Sequence, residues 1–167
     1  MKYRLTFSCF ATIVKSIRKR KGHVVMRYLQ QANLDQETID RLELIANLEH
    51  GWIDGEQGDT ISYQAMQFAV QFLEEYVTYS KFSRPSIYPF LEGGITLEWD
   101  RPVEYKDKIN YEWTIDIYND TDVVLYLFAT NHKFQDKEIV YSRYSSCPDK
   151  TIKKIIRELD KHNVLNV

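Results

Sequence analysis

The chain has 167 residues, 44% of them hydrophobic and 14% aromatic, with only six glycines and four prolines. This length and composition allow one domain with its own core and exclude a disordered or low-complexity protein. The net charge is −2, and the two cysteines, Cys9 and Cys147, form no CxxC pair and no Cys/His cluster. We therefore expect a reduced, cytoplasmic setting without a structural metal.

Charge is divided unevenly along the chain. Residues 1–34 contain eight Lys and Arg and no Asp or Glu, which leaves 14 Lys and Arg against 24 Asp and Glu from Asp35 onward. A basic segment on an acidic body can bind nucleic acid or an acidic partner, or it can dock on its own body. We therefore divide the chain into a basic N-terminal segment, 1–34, and a single α+β domain, 35–167. The candidate binding residues of the segment are Lys15, Arg18, Lys19, Arg20 and Lys21.

The N-terminal segment resembles neither a secretory signal nor a membrane span. An apolar run from Leu5 to Val14 is followed, not preceded, by the basic cluster, and no small-residue cleavage site appears. No window approaches the roughly 20 apolar residues that a transmembrane helix needs. Apolar residues recur at three- and four-residue spacing as far as Gln31, which favours helix broken near Gly22. The β-branched content of the first dozen residues would also suit a strand.

Two helices are predicted from capping residues in the first half of the domain. Asp35 is a good N-cap, with Leu34 and Ile39 at the ends of a hydrophobic staple. Ser62 begins the second helix in the same way, and its apolar positions cover a wide face that must be buried. A third helix is predicted near Asp149, because Pro148 suits a first turn and a narrow apolar stripe follows it.

Five strands are predicted between the second and third helices. Gly93 and Gly94 supply the reversal of a hairpin whose arms run from Ser86 to Phe90 and from Ile95 to Trp99. Residues 109–117 alternate strictly between apolar and polar, and strands over 123–130 and 138–144 follow. Short loops favour an antiparallel meander, so the fold class is α+β, with helices mainly on one face of the sheet. The predicted core includes Phe72, Leu97, Trp99, Trp113, Ile115 and Leu125.

A glycine-rich loop between the first two helices carries weak metal-ligand candidates. His50, Asp54, Glu56 and Asp59 supply oxygen and nitrogen donors, but their spacing matches no EF-hand or zinc pattern. Asp and Gly are what a turn between helices is made of, so no metal and no cofactor are predicted. Trp52 and Ile53 are expected to anchor this loop in the core.

No catalytic residues are predicted, because no acid, base or nucleophile is visibly paired with an orienting group. The alternative is a divalent-metal-dependent nuclease or hydrolase that uses Glu98, Asp100, Glu112 or the His50 loop, since Glu112 and Asp116 share the polar face of their strand. Any protein with 28% charged residues contains such carboxylates by chance. Solvated faces are the favoured explanation.

The segments LEHGWIDG (48–55) and GGITLEW (93–99), with the helix around Ala65 and Phe72, also carry a resemblance. From about Leu42 to Leu159 the chain resembles a family of small, mostly uncharacterised bacterial proteins often found in mobile or toxin–antitoxin-like gene neighbourhoods. That family typically has Trp-Asp-Gly in the first loop, whereas Ile53 intervenes here. The resemblance implies an accessory or partner-binding protein and no established reaction.

The expected function is therefore non-catalytic binding of a protein partner encoded nearby, as an antitoxin-like or accessory subunit of a mobile or defence-type locus. The twelve tyrosines support this, because tyrosine is enriched at protein interfaces. The alternative from another class is a nucleic-acid-binding module led by Lys15 to Lys21. The sequence predicts no oligomeric state.

Overall fold

The computed structural model describes residues 27–79, 84–99, 111–119, 122–129, 137–142 and 148–161. Residues 27–31 are helical and precede helices α1 (Gln36–Ala46) and α2 (Tyr63–Tyr79). Five strands follow, and helix α3 (Pro148–Lys161) comes last. The strands are β1 (Ser86–Pro89), β2 (Ile95–Trp99), β3 (Tyr111–Ile117), β4 (Asp122–Ala129) and β5 (Lys137–Ser142).

The five strands form one antiparallel sheet in the order β1-β2-β3-β4-β5. Each strand therefore pairs with its sequence neighbour, as the short predicted loops required. The register places Leu97 opposite Ile115 and Ile115 opposite Leu125, which puts one continuous apolar row across three strands. The predicted α+β fold with an antiparallel meander is confirmed.

All three helices contribute to one hydrophobic core on a single face of the sheet. Phe72 of α2 and Ile155 of α3 are fully buried in it, together with the inward-pointing Leu97 and Leu125. The six residues predicted from the sequence to be core are all buried. Their burial follows from the strand period of two and the helix period of 3.6, because both periods place apolar side chains on one side of each element.

Two stacked indoles form the aromatic centre of this core. Trp99 and Trp113 are directly opposite each other on β2 and β3, with ring centroids 3.5 Å apart and planes 9° from parallel. Phe72 and Tyr76 of α2 form T-shaped pairs with Trp99, with ring centroids 6.3 and 5.2 Å away. This cluster joins α2 to the sheet.

The predicted caps are present at both helix starts. Asp35 accepts hydrogen bonds from the Thr38 backbone N–H at 3.0 Å and from the Thr38 hydroxyl at 2.8 Å. The Ser62 hydroxyl accepts from the Ala65 N–H at 3.0 Å and donates to the carbonyl of Asn119 in the β3–β4 turn. Ser62 thus stabilises the start of α2 and fixes it to the sheet at the same time.

The two glycines of the hairpin serve different purposes. Gly93 has a φ of +77°, as expected for a tight reversal. Gly94 has no positive φ, but a Cβ added there would lie 2.3 Å from the carbonyl oxygen of Ile117. The backbone of β3 approaches so closely at this point that no side chain fits.

The expectation that Ile53 anchors its loop in the core is wrong. Ile53 is 50% exposed, and Trp52 is half-buried over Gly58, with its indole N–H donating to the carbonyl of Asp59 at 3.2 Å. The loop is held by its own hydrogen bonds, such as Gly51 N–H to Gly58 O at 2.8 Å and Asp59 N–H to Leu91 O at 2.8 Å. Backbone contacts with the hairpin therefore replace the predicted apolar anchor.

Candidate protein-binding face

We call the side of the sheet opposite the helices the open face. Val124 points to this side and lies outside the hydrophobic cluster that the helices share with the inward-pointing residues, although it is only 6% exposed between its neighbours. The register assigns alternate positions of every strand to it. Its described residues are Ser86, Tyr88, Thr96, Glu98, Glu112, Thr114, Asp116, Asp122, Val124, Tyr126, Phe128 and Glu138, with Phe90 and Tyr118 at the adjoining turns.

Five aromatic rings lie on the open face or at its adjoining turns, and two of them are exposed. Phe128 is 42% exposed and Tyr88 41%. The rings of Tyr126 and Phe128 are stacked, 6.2 Å apart and 7° from parallel, and Phe90 meets Tyr118 edge-on at 5.0 Å. Tyrosine and phenylalanine in ordered pairs offer large contact area at a small entropic cost, which is typical of protein interfaces.

The charged residues at the described strand positions of the open face are acidic. Its strand positions carry five carboxylates, Glu98, Glu112, Asp116, Asp122 and Glu138, and among the strand residues that the structure describes no lysine or arginine points to this side. Arg41 reaches only the rim, where its guanidinium lies 6.0 Å from the Tyr88 ring and donates to the Ile87 carbonyl. The face is therefore aromatic and acidic together.

A hollow of about 200 Å³ is lined by residues of β2, β3 and β4. Its walls include Glu98, Glu112 and Phe128, and the buried pair of Trp99 and Trp113 also lines it. Glu98 lies opposite Thr114 and Glu112 lies opposite Phe128, so the two glutamates are diagonal neighbours. Three strands thus contribute to one concave, acidic and aromatic site.

The Asp116 side chain is hydrogen-bonded to a neighbouring strand of the sheet. Its Oδ1 accepts a hydrogen bond from the Thr96 hydroxyl at 2.6 Å, across β2 and β3. Burial raises the pKa of the Asp116 carboxyl above its ordinary value, although the hydrogen bond from Thr96 opposes that shift. Nearby, burial and then the hydrogen bond with Tyr126 raise the pKa of the Tyr118 phenol to about 12. Tyr118 is therefore neutral at physiological pH.

Replacing Asp116 with asparagine should raise the melting temperature at neutral pH. Because the folded state raises the pKa of Asp116, it binds that proton more tightly than the unfolded chain does, and stability falls as pH rises through the interval between the two pKa values. Asparagine avoids this loss and its side-chain oxygen can still accept from Thr96. Thermal melts should show the gain at about pH 7 and none at about pH 3, below the unfolded pKa.

Asp54 provides a control, because its pKa is shifted in the opposite direction. The N–H groups of Gln57 and Glu56 hold the pKa of its carboxyl below the usual value, at 2.7 and 2.9 Å from Oδ1. Its stabilising effect is present above the unfolded pKa and is lost as pH falls through the folded one. Asp54→Asn should therefore lower the melting temperature at neutral pH. An equal response of the two variants at every pH would contradict both assignments.

The glycine-rich loop uses its polar residues to hold its own turn. His50 Nδ1 lies 3.1 Å from Asp59 Oδ1, and Asp54 accepts from the two backbone N–H groups that follow it. In the described ranges, no three His, Cys, Asp or Glu residues come together as a metal-ligand group. Glu56 is exposed and donates its backbone N–H to Asp54. Among the described residues, the four weak metal candidates therefore do not form one ligand group.

Several candidate residues from the sequence lie outside the described residues. These are the basic residues Lys15, Arg18, Lys19, Arg20 and Lys21, both cysteines, and Asp100 of the nuclease alternative. Glu98 and Glu112, by contrast, do share one hollow. The contribution of Phe128 and Tyr126 to this site was not predicted from the sequence. The strand over 123–130 is apolar or aromatic on both faces, so its pattern did not show which rings face the helices, and their neighbours depend on strand register.

Fold and surface together define an α+β protein with a helix-covered meander and one aromatic, acidic open face. No protein-family model matches the chain, and searches of curated proteins and of solved structures also find no match. The resemblance to small bacterial accessory proteins stays a prediction. Among the described helices, none has the length and apolar character to cross a membrane.

Proposed function

We propose that the protein acts by binding another protein through its open face, as a non-catalytic, antitoxin-like or accessory subunit from a mobile or defence-type locus. The observation that carries the proposal is the set of exposed, ordered aromatic rings on a sheet face that the helices do not share. Exposed apolar patches rimmed by polar residues are typical of interaction sites. The resemblance to small bacterial accessory proteins supplies the expected kind of partner.

The nucleic-acid alternative would use a different part of the chain. Phosphates are repelled by the carboxylates of the open face, and the basic cluster Lys15 to Lys21 is the nucleic-acid candidate. Phosphate binding weakens steeply as salt rises, with a slope that follows the number of contacts. A protein interface centred on aromatic rings depends much less on salt.

The proposal is tested by capturing partners with the tagged full chain from its host. We expect a stoichiometric protein to be recovered, its recovery to survive nuclease treatment, and that protein to be encoded beside this chain. Phe128→Arg should abolish the recovery, because it removes an exposed ring from the open face and introduces a bulky charge there. Leu44→Arg is the matched control, since Leu44 is 65% exposed on α1.

Three results would contradict the proposal. One is the recovery of no stoichiometric protein, and another is recovery only while nucleic acid is intact. The third is equal loss with Phe128→Arg and Leu44→Arg, which would place the interface elsewhere. Circular dichroism of both variants must first show the same secondary structure as the parent.

A further inference from the structure

We propose that the solvent-facing side of α3 binds the phosphate backbone of a nucleic-acid duplex without reading its sequence. Four exposed cations lie along this side, and we call them the basic row: Lys150, Lys153, Lys154 and Arg157. Their spacing of three and four residues places them within about 100° of the helix circumference. The proposal goes beyond the protein-binding function, because α3 packs on the side of the sheet opposite the open face.

The other side of α3 fixes the orientation of the basic row. It carries four apolar residues that are buried in the hydrophobic core, Ile152, Ile155, Ile156 and Leu159. These positions are centred roughly 180° from the basic row, so the helix cannot turn its cations inward without exposing the core. The basic row is therefore a preformed surface on a packed helix, and a ligand has little backbone to order when it binds.

The basic row differs from a helix face that only meets solvent. Such a face is stabilised by acidic and basic residues at four-residue spacing, because these pairs attract. On α3, Lys154 follows Lys150 at this spacing. Arg157 follows Lys153 in the same way. Like charges four residues apart destabilise a helix, so α3 retains a repulsion that an anionic ligand would relieve.

Among the residues that the structure describes, no carboxylate forms an ion pair with the basic row. Asp149 and Glu158 are the acidic residues of α3 whose side chains are described, and they lie about 90° to either side of the centre of the row. Residues 143–147 and 162–167, which adjoin α3 in the chain, contain no Asp or Glu. Within the described part of the chain, the four positive charges therefore remain available to a ligand.

The composition of the basic row favours phosphates over an acidic protein surface. Three of its members are lysines, which are depleted at protein interfaces, and among the described residues of α3 no apolar or aromatic side chain is exposed. Phosphates need only positive charge, whereas nucleic-acid single strands are also held by stacking on aromatic rings. The row spans about 10 Å, over which one strand of a duplex carries about three phosphates. A duplex backbone is therefore the ligand that this surface fits.

Fluorescence anisotropy of the full chain with short DNA and RNA duplexes of one sequence tests the proposal. Both duplexes present phosphates, and binding of either through the basic row supports it. Glutamine at all four positions should lower the affinity about tenfold or more. It should also reduce the slope of log affinity against log salt by about 3 to 4 for DNA, since each phosphate contact contributes about 0.9. Glutamine has nearly the helix propensity of lysine and arginine, so the fold should be retained.

Two controls separate phosphate contact from net charge. The first keeps every cation through Lys150→Arg, Lys153→Arg, Lys154→Arg and Arg157→Lys. It should keep the salt slope of the parent, because the number of charged contacts is unchanged. The second compares Arg84→Gln with Lys154→Gln, which change the net charge equally, although the Arg84 guanidinium already pairs with Asp35 and Glu37. Only Lys154→Gln should reduce the slope, by about 0.9.

Thermal melts give a measurement that does not depend on the binding assay. At low salt, glutamine at all four positions should raise the melting temperature, because it removes the repulsion within the basic row. That gain should shrink at high salt, where the charges are screened. Adding the DNA duplex should raise the melting temperature of the parent more than that of the glutamine variant, since a ligand stabilises the state that binds it.

Five results would overturn the proposal. These are no binding of either duplex at low salt, a salt slope that the glutamine variant leaves unchanged, and equal effects of Arg84→Gln and Lys154→Gln. The fourth is an equal rise in melting temperature of parent and glutamine variant on adding duplex. The fifth is tighter binding of an oligoglutamate peptide than of either duplex, which would make an acidic protein the ligand. Binding through Lys15 to Lys21 alone would give the second result. The glutamine variant should still capture the protein partner, so either proposal can fail without the other.

Discussion

Replacing Trp99 with alanine should lower the free energy of unfolding by about 3 to 5 kcal/mol, the range for truncating a buried aromatic side chain. Trp99 is 4% exposed and stacked on Trp113 at 3.5 Å. Its ring also contacts Phe72 and Tyr76, so the truncation removes contacts between the sheet and α2 as well as within the sheet. Chemical denaturation followed by circular dichroism measures the loss.

A loss of this size is a large fraction of the stability of an ordinary domain, so Trp99→Ala can unfold at room temperature. Trp99→Phe gives a second measurement, because it keeps an aromatic ring and should lose less. Phe128→Ala is the matched control on the same sheet, since Phe128 is 42% exposed on the opposite side. Its effect should be clearly smaller than that of Trp99→Ala, because a side chain that is already partly in water loses less buried apolar area when truncated. Unchanged stability of Trp99→Ala would contradict the placement of the hairpin.

Gly51→Ala should produce the second large loss, about 2 to 5 kcal/mol from left-handed strain and overpacking together. Gly51 has a φ of +80°, and a Cβ added there would lie 2.5 Å from the carbonyl oxygen of Gly55. That oxygen belongs to the backbone, so it cannot move away from the added Cβ unless the loop itself moves. The Gly51 N–H also donates to the Gly58 carbonyl at 2.8 Å, so a shift there would disturb the loop closure. Denaturant titration measures the change in free energy.

Gly55→Ala separates the two causes of that loss. Gly55 has a φ of +91° in the same loop, but a Cβ there would meet nothing within 4 Å. Only the left-handed strain applies, so the expected loss is about 1 to 2 kcal/mol. Equal losses for Gly51→Ala and Gly55→Ala would show that the close contact at Gly51 does not contribute to the change in the free energy of unfolding.

The candidate site was only partly predictable from the sequence. The excess of tyrosine and the carboxylates on the polar side of β3 were visible as patterns, and they suggested a binding protein. The hollow was not visible, because Glu98, Glu112 and Phe128 come from three strands and meet only through the register of the sheet. A shift of one residue in any pairing would send a strand's polar side chains to the helices instead.

The sequence by itself determined the elements whose signals are local in the chain. Asp35 and Ser62 mark helix starts because a capping side chain bonds to a backbone N–H only three residues away. The alternation along β2 and β3 determined which side chains point to the core, because a strand has a period of two.

Only the tertiary structure decided what lies beside each element. It exposes Ile53, which hydrophobicity alone had assigned to the core, because backbone hydrogen bonds hold that loop against the hairpin. It requires glycine at position 94 through the close approach of Ile117, a residue 23 positions later in the chain. It also joins the aromatic and acidic side chains of separate strands into one open face. Such neighbours depend on pairing between segments that are distant in the chain, and local periodicity carries no information about that pairing.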